Sequence, residues 1–535
     1  MTLNNIHRFF SSAIVLACTA ALAEGQTIEK ITSKGPRQVA ITASAKGRAV
    51  LQWTFDDRPD AIWNSISDAR TARRGRVSFL APRHTGLTPR YRVLDNQPLP
   101  PGSSLFDPHQ IRVLKLEITD ADMKKMLENL PTVSGGEDGG GIVGPGGEII
   151  GNGEGPIEPR PPEAAGVDQG DPEDFPGNGQ LTEPVYEYVP ALASFDGGGK
   201  GRLGIRIKGN ASLISTIIDK RKNYPFKIDV NYYKSGQNLD GIKKFNLHPA
   251  VSKKASSEIP GTPPTVFPGN FGLEEYLSYG AFRAFGVPAS RTGWMDVYLN
   301  GKYLGLYTVL ENTDSAFMEK NFSSPGGSTY KPEGEYLEWK GAKYDKYPSL
   351  NWKGGGDGTH QSIIHLIDVI NHKPVASFPK VIDVQSIFNY TAGNVALGNW
   401  DTYEALGHNF LLHEGSPGRF CMLPWDLNLS QSDDPGSSLY GKTEPTFDAP
   451  EGFELPTPAL THRLYRKPEN DARYRATLKA FIEGPGSRAT LNARIDDAVA
   501  LLGSRLEESA IKVLRDNIDI RIRKVKTLLN TPAAP

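Results

Sequence analysis

The feature that most constrains the fold of this chain is a β-hairpin signal between residues 294 and 310. Two runs of alternating apolar residues, 294–299 and 303–310, are joined by Asn300-Gly301. A tight two-residue turn needs positive backbone φ angles, which Asn and Gly tolerate best. The pattern therefore predicts an antiparallel hairpin, and with it a β-sheet in the middle of the 535-residue chain.

Other strands are predicted mostly before this hairpin, and helices mostly after residue 270. Alternating patterns predict strands at 111–118, 202–208 and 224–230. Helical periodicity predicts helices at 272–285, 361–371, 383–397, 458–482 and 488–530. Strands followed by helices indicate an α+β fold class.

Composition divides the chain into a small module and one large domain. Residues 24–104 are predicted to form a small β-rich module, because short alternating runs are separated by Pro, Gly and Asp. Residues 105–530 are predicted to form the large domain. Within it, residues 134–183 form a predicted flexible, acidic and Gly-rich insert, which has too few apolar residues to order itself. A Pro-rich stretch at 249–269 is predicted to be a solvated loop.

The first 23 residues are typical of a cleavable secretory signal peptide. A short segment carrying Arg8 precedes an apolar run that ends in Ala21-Leu22-Ala23. We expect the mature chain to be secreted, periplasmic or at the cell surface, and lipid attachment at Cys18 is the alternative. No later segment has about 18 uninterrupted apolar residues, so no transmembrane segment is expected.

Charge and motifs exclude several classes of function. The formal net charge of −1 provides no general attraction to nucleic acid, and no nucleic-acid partner is expected. The chain has no H-E-x-x-H, G-x-S-x-G or paired C-x-x-C motif. Cys421 lies in an apolar run and is predicted to be a core residue.

Two aspartates and an asparagine mark the region that could carry chemistry. Asp401 follows a predicted helix, Asp426 ends an apolar strand, and Asn409 lies between them. Carboxylates at such places are costly unless they bind something, and oxygen ligands suit a hard cation. Asp401 could then accept a proton. Ordinary capping residues would give the same pattern, so the residues alone leave both interpretations open.

Several blocks in this order resemble the spore-coat-protein-H (CotH) kinase-like family. The resemblance covers about residues 105–530. The matching blocks are Gly204-Ile205-Arg206-Ile207-Lys208-Gly209-Asn210-Ala211-Ser212, Lys222 to Ile228, Phe245 to His248, the hairpin from Val297 to Tyr307, Gly398 to Asp401 with His408-Asn409, and Pro424-Trp425-Asp426.

The resemblance implies a divergent protein-kinase-like two-lobe fold, preceded by the β-rich module. It also implies a secreted atypical Ser/Thr protein kinase that transfers the γ-phosphate of ATP to surface or extracellular proteins, with Mg²⁺ or Mn²⁺ as cofactor. On this basis the roles are Asp401 as catalytic residue, Asp426 and Asn409 as metal ligands, and Lys227, Lys222, Glu311 and Arg206 in nucleotide binding. Of the two lysines, Lys227 is favoured, because its apolar neighbours point to the opposite face of the strand.

The chain departs from the family pattern at Asn428, where the family has a second aspartate in W-D-x-D. Asn is still an oxygen ligand, but it removes one charge from the expected cation site. The alternative function is therefore a non-catalytic surface, coat-assembly or adhesion protein that keeps the fold. For Glu311, a role as a turn or capping residue also stays open.

Overall fold

The computed structural model describes most of the chain after residue 100 and short strands before it. The described residues are 28–33, 38–46, 48–54, 64–65, 70–71, 73–82, 90–94, 101–128, 130, 132–133, 142–143, 149–150, 186–209, 213, 216–217, 222–250, 272–322, 324–399, 401–431 and 458–530. The predicted signal peptide, Cys18, nearly all of the predicted 134–183 insert and most of the 249–269 loop lie outside them.

The described residues of the N-terminal part form short strands. They are β1 Ile28–Ser33, β2 Gln38–Ser44, β3 Arg48–Thr54, β4 Asn64–Ser65, β5 Arg70–Thr71, β6 Arg76–Pro82 and β7 Arg90–Leu94. One sheet has the order β1-β2-β6, and β3 pairs with β4, β5 and β7. Apolar side chains of both groups, among them Ile41, Leu51 and Phe79, share one small core.

Seven strands of the large domain close into a barrel. They are β8 Ile111–Glu117, β12 Val189–Phe195, β13 Gly201–Ile207, β14 Phe226–Asp229, β15 Lys244–Pro249, β16 Thr292–Leu299 and β17 Lys302–Glu311. The order around the barrel is β12-β13-β14-β15-β17-β16-β8. Between β8 and β12 lie helix α1, Asp120–Glu128, and the two-residue strands β9 Thr132–Val133, β10 Ile142–Val143 and β11 Ile149–Ile150.

The predicted hairpin is confirmed as β16 and β17. Asn300 and Gly301 form the turn with φ angles of 48° and 77°, the left-handed conformations that a tight hairpin turn requires. The strands predicted at 111–118, 202–208 and 224–230 are also present within one or two residues. Local sequence patterns therefore located five of the seven barrel strands, and they missed β12 and β15.

The expectation of a kinase-like two-lobe fold is wrong. In the described residues the strands form a closed seven-stranded barrel with mixed helices and sheets beside it, and no kinase-like pair of lobes is evident. Closure depends on β16 pairing in parallel with β8, from Trp294 opposite Ile111 to Leu299 opposite Leu116. Such a contact joins segments almost 200 residues apart, and no local pattern reports it.

A four-stranded sheet and a group of helices complete the large domain. The sheet has the order β19-β18-β20-β21, with β18 Thr329–Pro332, β19 Leu350–Trp352, β20 Phe410–Ser416 and β21 Arg419–Pro424. The helices are α2 Glu274–Phe285, α3 Ser315–Asn321, α4 Gln361–His372, α5 Val384–Leu397, α6 Tyr403–Leu406, α7 Ala459–Tyr465, α8 Pro468–Glu483, α9 Arg488–Leu502 and α10 Glu508–Asn530. None of the described helices combines the length and apolar character needed to cross a bilayer.

The barrel is packed on both of its faces, and this positions the candidate site. Along β16 and β17, Val297 and Val309 lie in the barrel interior, whereas Trp294 and Leu310 belong to the larger core formed with the helices. Because successive strand residues point to opposite faces, the outer face of these strands is covered by the helical part. Helix α2 bridges the two regions, since Tyr276 contacts Trp294 with ring centroids 5.3 Å apart.

Candidate functional site

Asp426 lies at the first turn after strand β21 and has an unusual environment. Its backbone is left-handed, with φ 46°, and its Oδ1 atom is buried without a hydrogen-bond partner. Burial and then the charge of Glu275 raise the pKa of Asp426 to about 6, against the opposing charges of His248 and Lys208. A non-glycine residue held in this conformation with an orphaned carboxylate oxygen makes Asp426 a candidate ligand-binding position.

Asp401 and Asn409 lie together beside Asp426. The Nδ2 atom of Asn409 donates a hydrogen bond to the backbone oxygen of Asp401 at 3.2 Å. The backbone nitrogen of Trp425 in turn donates to the backbone oxygen of Asn409 at 3.2 Å, which ties this segment to the Asp426 turn. Asn409 is buried and also left-handed, with φ 58°. The three residues predicted to form the catalytic and metal site are thus brought together.

His408 holds the carboxylate of Asp401. Its Nε2 atom contacts Oδ1 of Asp401. Burial alone would lower the pKa of His408, but the hydrogen bond with Asp401 and the nearby charges of Asp401, Glu333 and Asp426 raise the pKa above its ordinary value. The contact with His408 fixes the direction of the Asp401 carboxylate.

A second chain of contacts runs from the barrel to Glu275, whose charge acts on Asp426. Lys208 follows strand β13, and its Nζ lies 2.9 Å from Nε2 of His248 on β15. The Nδ1 atom of His248 lies 2.8 Å from Oε2 of Glu275, in the first turn of α2. The other carboxylate oxygen of Glu275, Oε1, is buried without a hydrogen-bond partner, like Oδ1 of Asp426. Sequence reasoning gave no role to Lys208, His248, Glu275 or His408.

Arg206, Lys227 and Asn246 form a row across the same outer face of the barrel. Arg206 is paired in register with Lys227, and Lys227 with Asn246. Phe226 and Ile228, on either side of Lys227, lie in the barrel interior, as the choice of Lys227 assumed. Lys227 and Asn246 are fully buried, and both polar side-chain atoms of Asn246 lack a hydrogen-bond partner. The face is thus cationic, and it continues along β13 to Lys208.

Lys222 and Glu311 lie in different surroundings. Lys222 is exposed, four residues before β14 begins. Glu311 ends β17 in a buried ion triad, with Oε1 2.6 Å from Nη2 of Arg291 and Oε2 2.7 Å from Nζ of Lys320. Burial would raise the pKa of Glu311, but the charges of Lys320 and Arg291 lower it to about 2. Its carboxylate oxygens are therefore already satisfied by protein cations.

A divalent cation would fit beside Asp426. The described residues contain no group of three or more His, Cys, Asp or Glu side chains placed to hold a metal ion by themselves. They do place two orphaned carboxylate oxygens, from Asp426 and Glu275, beside a cationic face. Mg²⁺ is usually held by one or two carboxylates together with substrate phosphates, so this donor set suits it. Asn428 lies two residues after Asp426 and is partly buried.

Cys421 is a core residue, as predicted. It packs with Phe317, Leu411 and Trp425. Burial raises the pKa of its thiol well above the ordinary value. A thiol in these surroundings stays protonated and does not act as a nucleophile.

Comparisons with known proteins confirm the family resemblance of the sequence. The family model described as CotH kinase protein matches residues 205–513, which is more than half of the chain. The inner spore coat protein H of Bacillus subtilis (strain 168) is 26% identical over 223 residues, covering 39% of this chain and 59% of the relative. The chain thus spans about three fifths of the length of the curated relative it matches. The matched region contains nearly all of the site, from Arg206 to Asp426, and the chain belongs to the CotH family.

Proposed function

We propose that this protein is an ATP-dependent Ser/Thr protein kinase. The observation that carries the proposal is the meeting of Asp401, Asn409 and Asp426 beside the cationic barrel face that ends in Lys208. Phosphoryl transfer needs an oriented carboxylate, a cation site and positive charge for the phosphates. In this proposal Asp401, Asp426 and Lys208 supply these three kinds of group.

Asp401 would act on the acceptor. Its carboxylate is held by His408 and its backbone by Asn409, so the free carboxylate oxygen has a defined direction. In this role it orients a serine or threonine hydroxyl and accepts its proton, a contribution of about 10²–10⁴-fold in rate.

The cation and nucleotide would lie between Asp426 and the barrel. Asp426, Asn409 and Glu275 are the oxygen donors that would hold Mg²⁺ or Mn²⁺. Bound there, the ion would supply charge stabilisation for the phosphates. The cationic residues Lys208, Arg206 and Lys227 would balance the remaining phosphate charge, a task that suits side chains held rigidly in a buried site.

The protein substrates would be surface, coat or other extracellular proteins. This part of the proposal follows the name of the relative, an inner spore coat protein, and the predicted signal peptide. It extends to this chain only as a proposal, because the match covers part of each protein.

The test is transfer of label from γ-labelled ATP to the protein itself or to a generic acceptor, with Mg²⁺ or Mn²⁺ present. Purified protein is compared with Asp401→Asn and Asp426→Asn. The control is Asp516→Asn, on the exposed face of α10. We expect transfer by the unmodified protein and the control, and loss of transfer in both site variants. Transfer that persists in both site variants would refute the assignment of residues.

A non-catalytic assembly role is the second candidate. Two observations favour it: the carboxylate of Asp401 is already engaged by His408, and Asn428 replaces the family's second aspartate. This role predicts no label transfer and no rise in melting temperature with ATP and Mg²⁺. It also predicts that Asp401→Asn leaves association with surface proteins unchanged.

A further inference from the structure

A second site lies on helix α4, separate from the Asp401 cluster. A pocket of about 690 Å³ opens between this helix and the segment that precedes β19. Its volume falls in the range of small-molecule sites. Seven of its nine lining residues are polar or aromatic: Lys343, Tyr344, Asp345, Thr359, Gln361, His365 and Asp368.

The aromatic wall of this pocket is held rigidly. The ring of Tyr344 stacks on His360 with centroids 3.8 Å apart, and the edge of Trp352 meets the same imidazole at 5.3 Å. His360 is fixed in turn by a 2.8 Å hydrogen bond with the hydroxyl of the buried Tyr330. His360 also has a left-handed backbone, with φ 58°. Rings fixed before binding lose little freedom when a ligand stacks on them.

Exposed tryptophans stand at both ends of the helix. Trp352, at the start of α4, is 37% exposed, and Trp339, at the other end, is 36% exposed. Trp339 contacts His372, whose Nδ1 lies 2.8 Å from the carboxylate of Asp368. Helix α4 has twelve residues, so these ends lie about 18 Å apart along the helix. The pocket therefore lies along α4 between two exposed aromatic side chains, and we call the surface from Trp352 to Trp339 the groove.

The chemistry of the groove selects the class of ligand. The carboxylates of Asp345 and Asp368 outnumber the single ammonium of Lys343, which disfavours an anion such as a phosphate group, and the mostly polar lining disfavours a purely apolar ligand. Planar carboxylate, amide and imidazole groups accept and donate hydrogen bonds in the way that vicinal hydroxyls require. Flat aromatic faces match the apolar C–H faces of sugar rings. We propose that this groove binds a neutral oligosaccharide, with Tyr344 and Trp352 as stacking platforms.

This inference does not rest on the proposed kinase activity, because no residue of the groove belongs to the Asp401 cluster. Sugar binding would place the protein on a glycan-bearing surface while the other site acts. Asp401→Asn is therefore expected to bind oligosaccharide like the unmodified protein, and failure of one proposal leaves the other standing.

The experiment is isothermal titration calorimetry of the full chain with cellohexaose, maltohexaose and chitohexaose. We expect at least one of the three to bind, and Tyr344→Ala or Trp352→Ala to weaken that binding about tenfold or more. Tyr344→Phe keeps the ring and should bind with nearly unchanged affinity. The control is Tyr303→Ala, which removes an exposed aromatic ring from the barrel and should have no effect.

Thermal unfolding of each variant separates loss of binding from loss of folding. If the alanine variants are unfolded, Asp345→Ala and Gln361→Ala replace them, since both side chains are exposed and lie on the polar wall. Quenching of tryptophan fluorescence on binding gives a second readout, because Trp352 is half-exposed and in the groove. No binding by any of the three sugars, or binding that survives the loss of both Tyr344 and Trp352, would overturn the proposal.

Discussion

The ammonium group of Lys208 lies 2.9 Å from Nε2 of His248. A lysine ammonium can only donate, so Lys208 is the donor in this contact. The Nδ1 atom of the same imidazole lies 2.8 Å from Oε2 of Glu275. Lys208 is thus connected through one imidazole to a carboxylate whose negative charge raises the pKa of Asp426. The charged groups of the barrel and the carboxylate of Asp426 therefore interact within one site.

The first prediction concerns Lys208, the lysine proposed to bind the nucleotide phosphates. Lys208→Met removes the cation whose charge acts on Asp426, so we expect ATP with Mg²⁺ to bind about tenfold or more weakly. The measurement is the ATP-dependent shift in melting temperature across a range of ATP concentrations. The matched control is Lys234→Met, at an exposed position outside the site. Equal shifts in the two variants would show that Lys208 does not contact the nucleotide.

The second prediction concerns His408. His408→Ala removes the group that holds the Asp401 carboxylate, and the hydroxyl acceptor is then no longer aligned. We expect kcat to fall by about 10–100-fold with little change in the KM for ATP, since the loss is one of orientation at the acceptor. His408→Gln keeps a donor and should recover part of the rate. An increase in the KM for ATP without a change in kcat would contradict a positioning role.

Local signals predicted the strands and their hairpin but not their closure. Asn300-Gly301 encodes its own turn, because few other residue pairs adopt two successive positive φ angles. The parallel pairing of β8 with β16 has no local signature. Sequence patterns therefore could not reveal the closed barrel, which contradicts the expected kinase-like fold. The break between α9 and α10 was likewise missed, although Gly503, with φ 54°, occupies it.

The candidate site could be predicted where its residues are close in sequence. Asp401 and Asn409 are eight residues apart and flank a short helix, so their meeting depends on local structure. Strand alternation predicted that Lys227 points away from its apolar neighbours, and its side chain does lie on the outer face of the barrel. It also places Arg206 and Lys208 on one common face. The packing of α2 and of the turn after β21 decides which of these cations lies near Asp426. Local sequence patterns do not predict this packing.

The third prediction is that Glu311 is a stability determinant. Glu311→Gln leaves Arg291 and Lys320 without their carboxylate partner in a buried setting, which costs about 3–5 kcal/mol of unfolding free energy. The measurement is denaturant unfolding at neutral pH. The control is Asp516→Asn, whose exposed pair with Lys512 contributes little.

The same variant has an expected pH dependence. The pKa of Glu311 is lowered from 4.5 to about 2, so its stabilisation is fully present above pH 4.5. It is lost as the pH falls from about 4.5 toward 2, because the folded protein must then protonate a carboxylate that its cations hold ionised. The difference between the unmodified protein and Glu311→Gln should therefore shrink over that interval. A difference that is absent at neutral pH would mean that the triad contributes no net stability.

The fourth prediction concerns His413, a fully buried residue of β20. The centroid of its ring lies 4.5 Å from that of Phe322. Burial lowers the pKa of His413 from 6.5 to about 4. Between pH 6.5 and pH 4 the imidazole is therefore protonated in the unfolded chain and neutral in the folded protein. The free energy of unfolding should fall by up to about 3 kcal/mol between pH 6.5 and pH 4 from this residue. His413→Gln cannot be protonated and should show a flatter profile in urea unfolding over that range. The control, His109→Gln at an exposed position, should follow the unmodified protein, and a His413→Gln profile parallel to it would contradict the prediction.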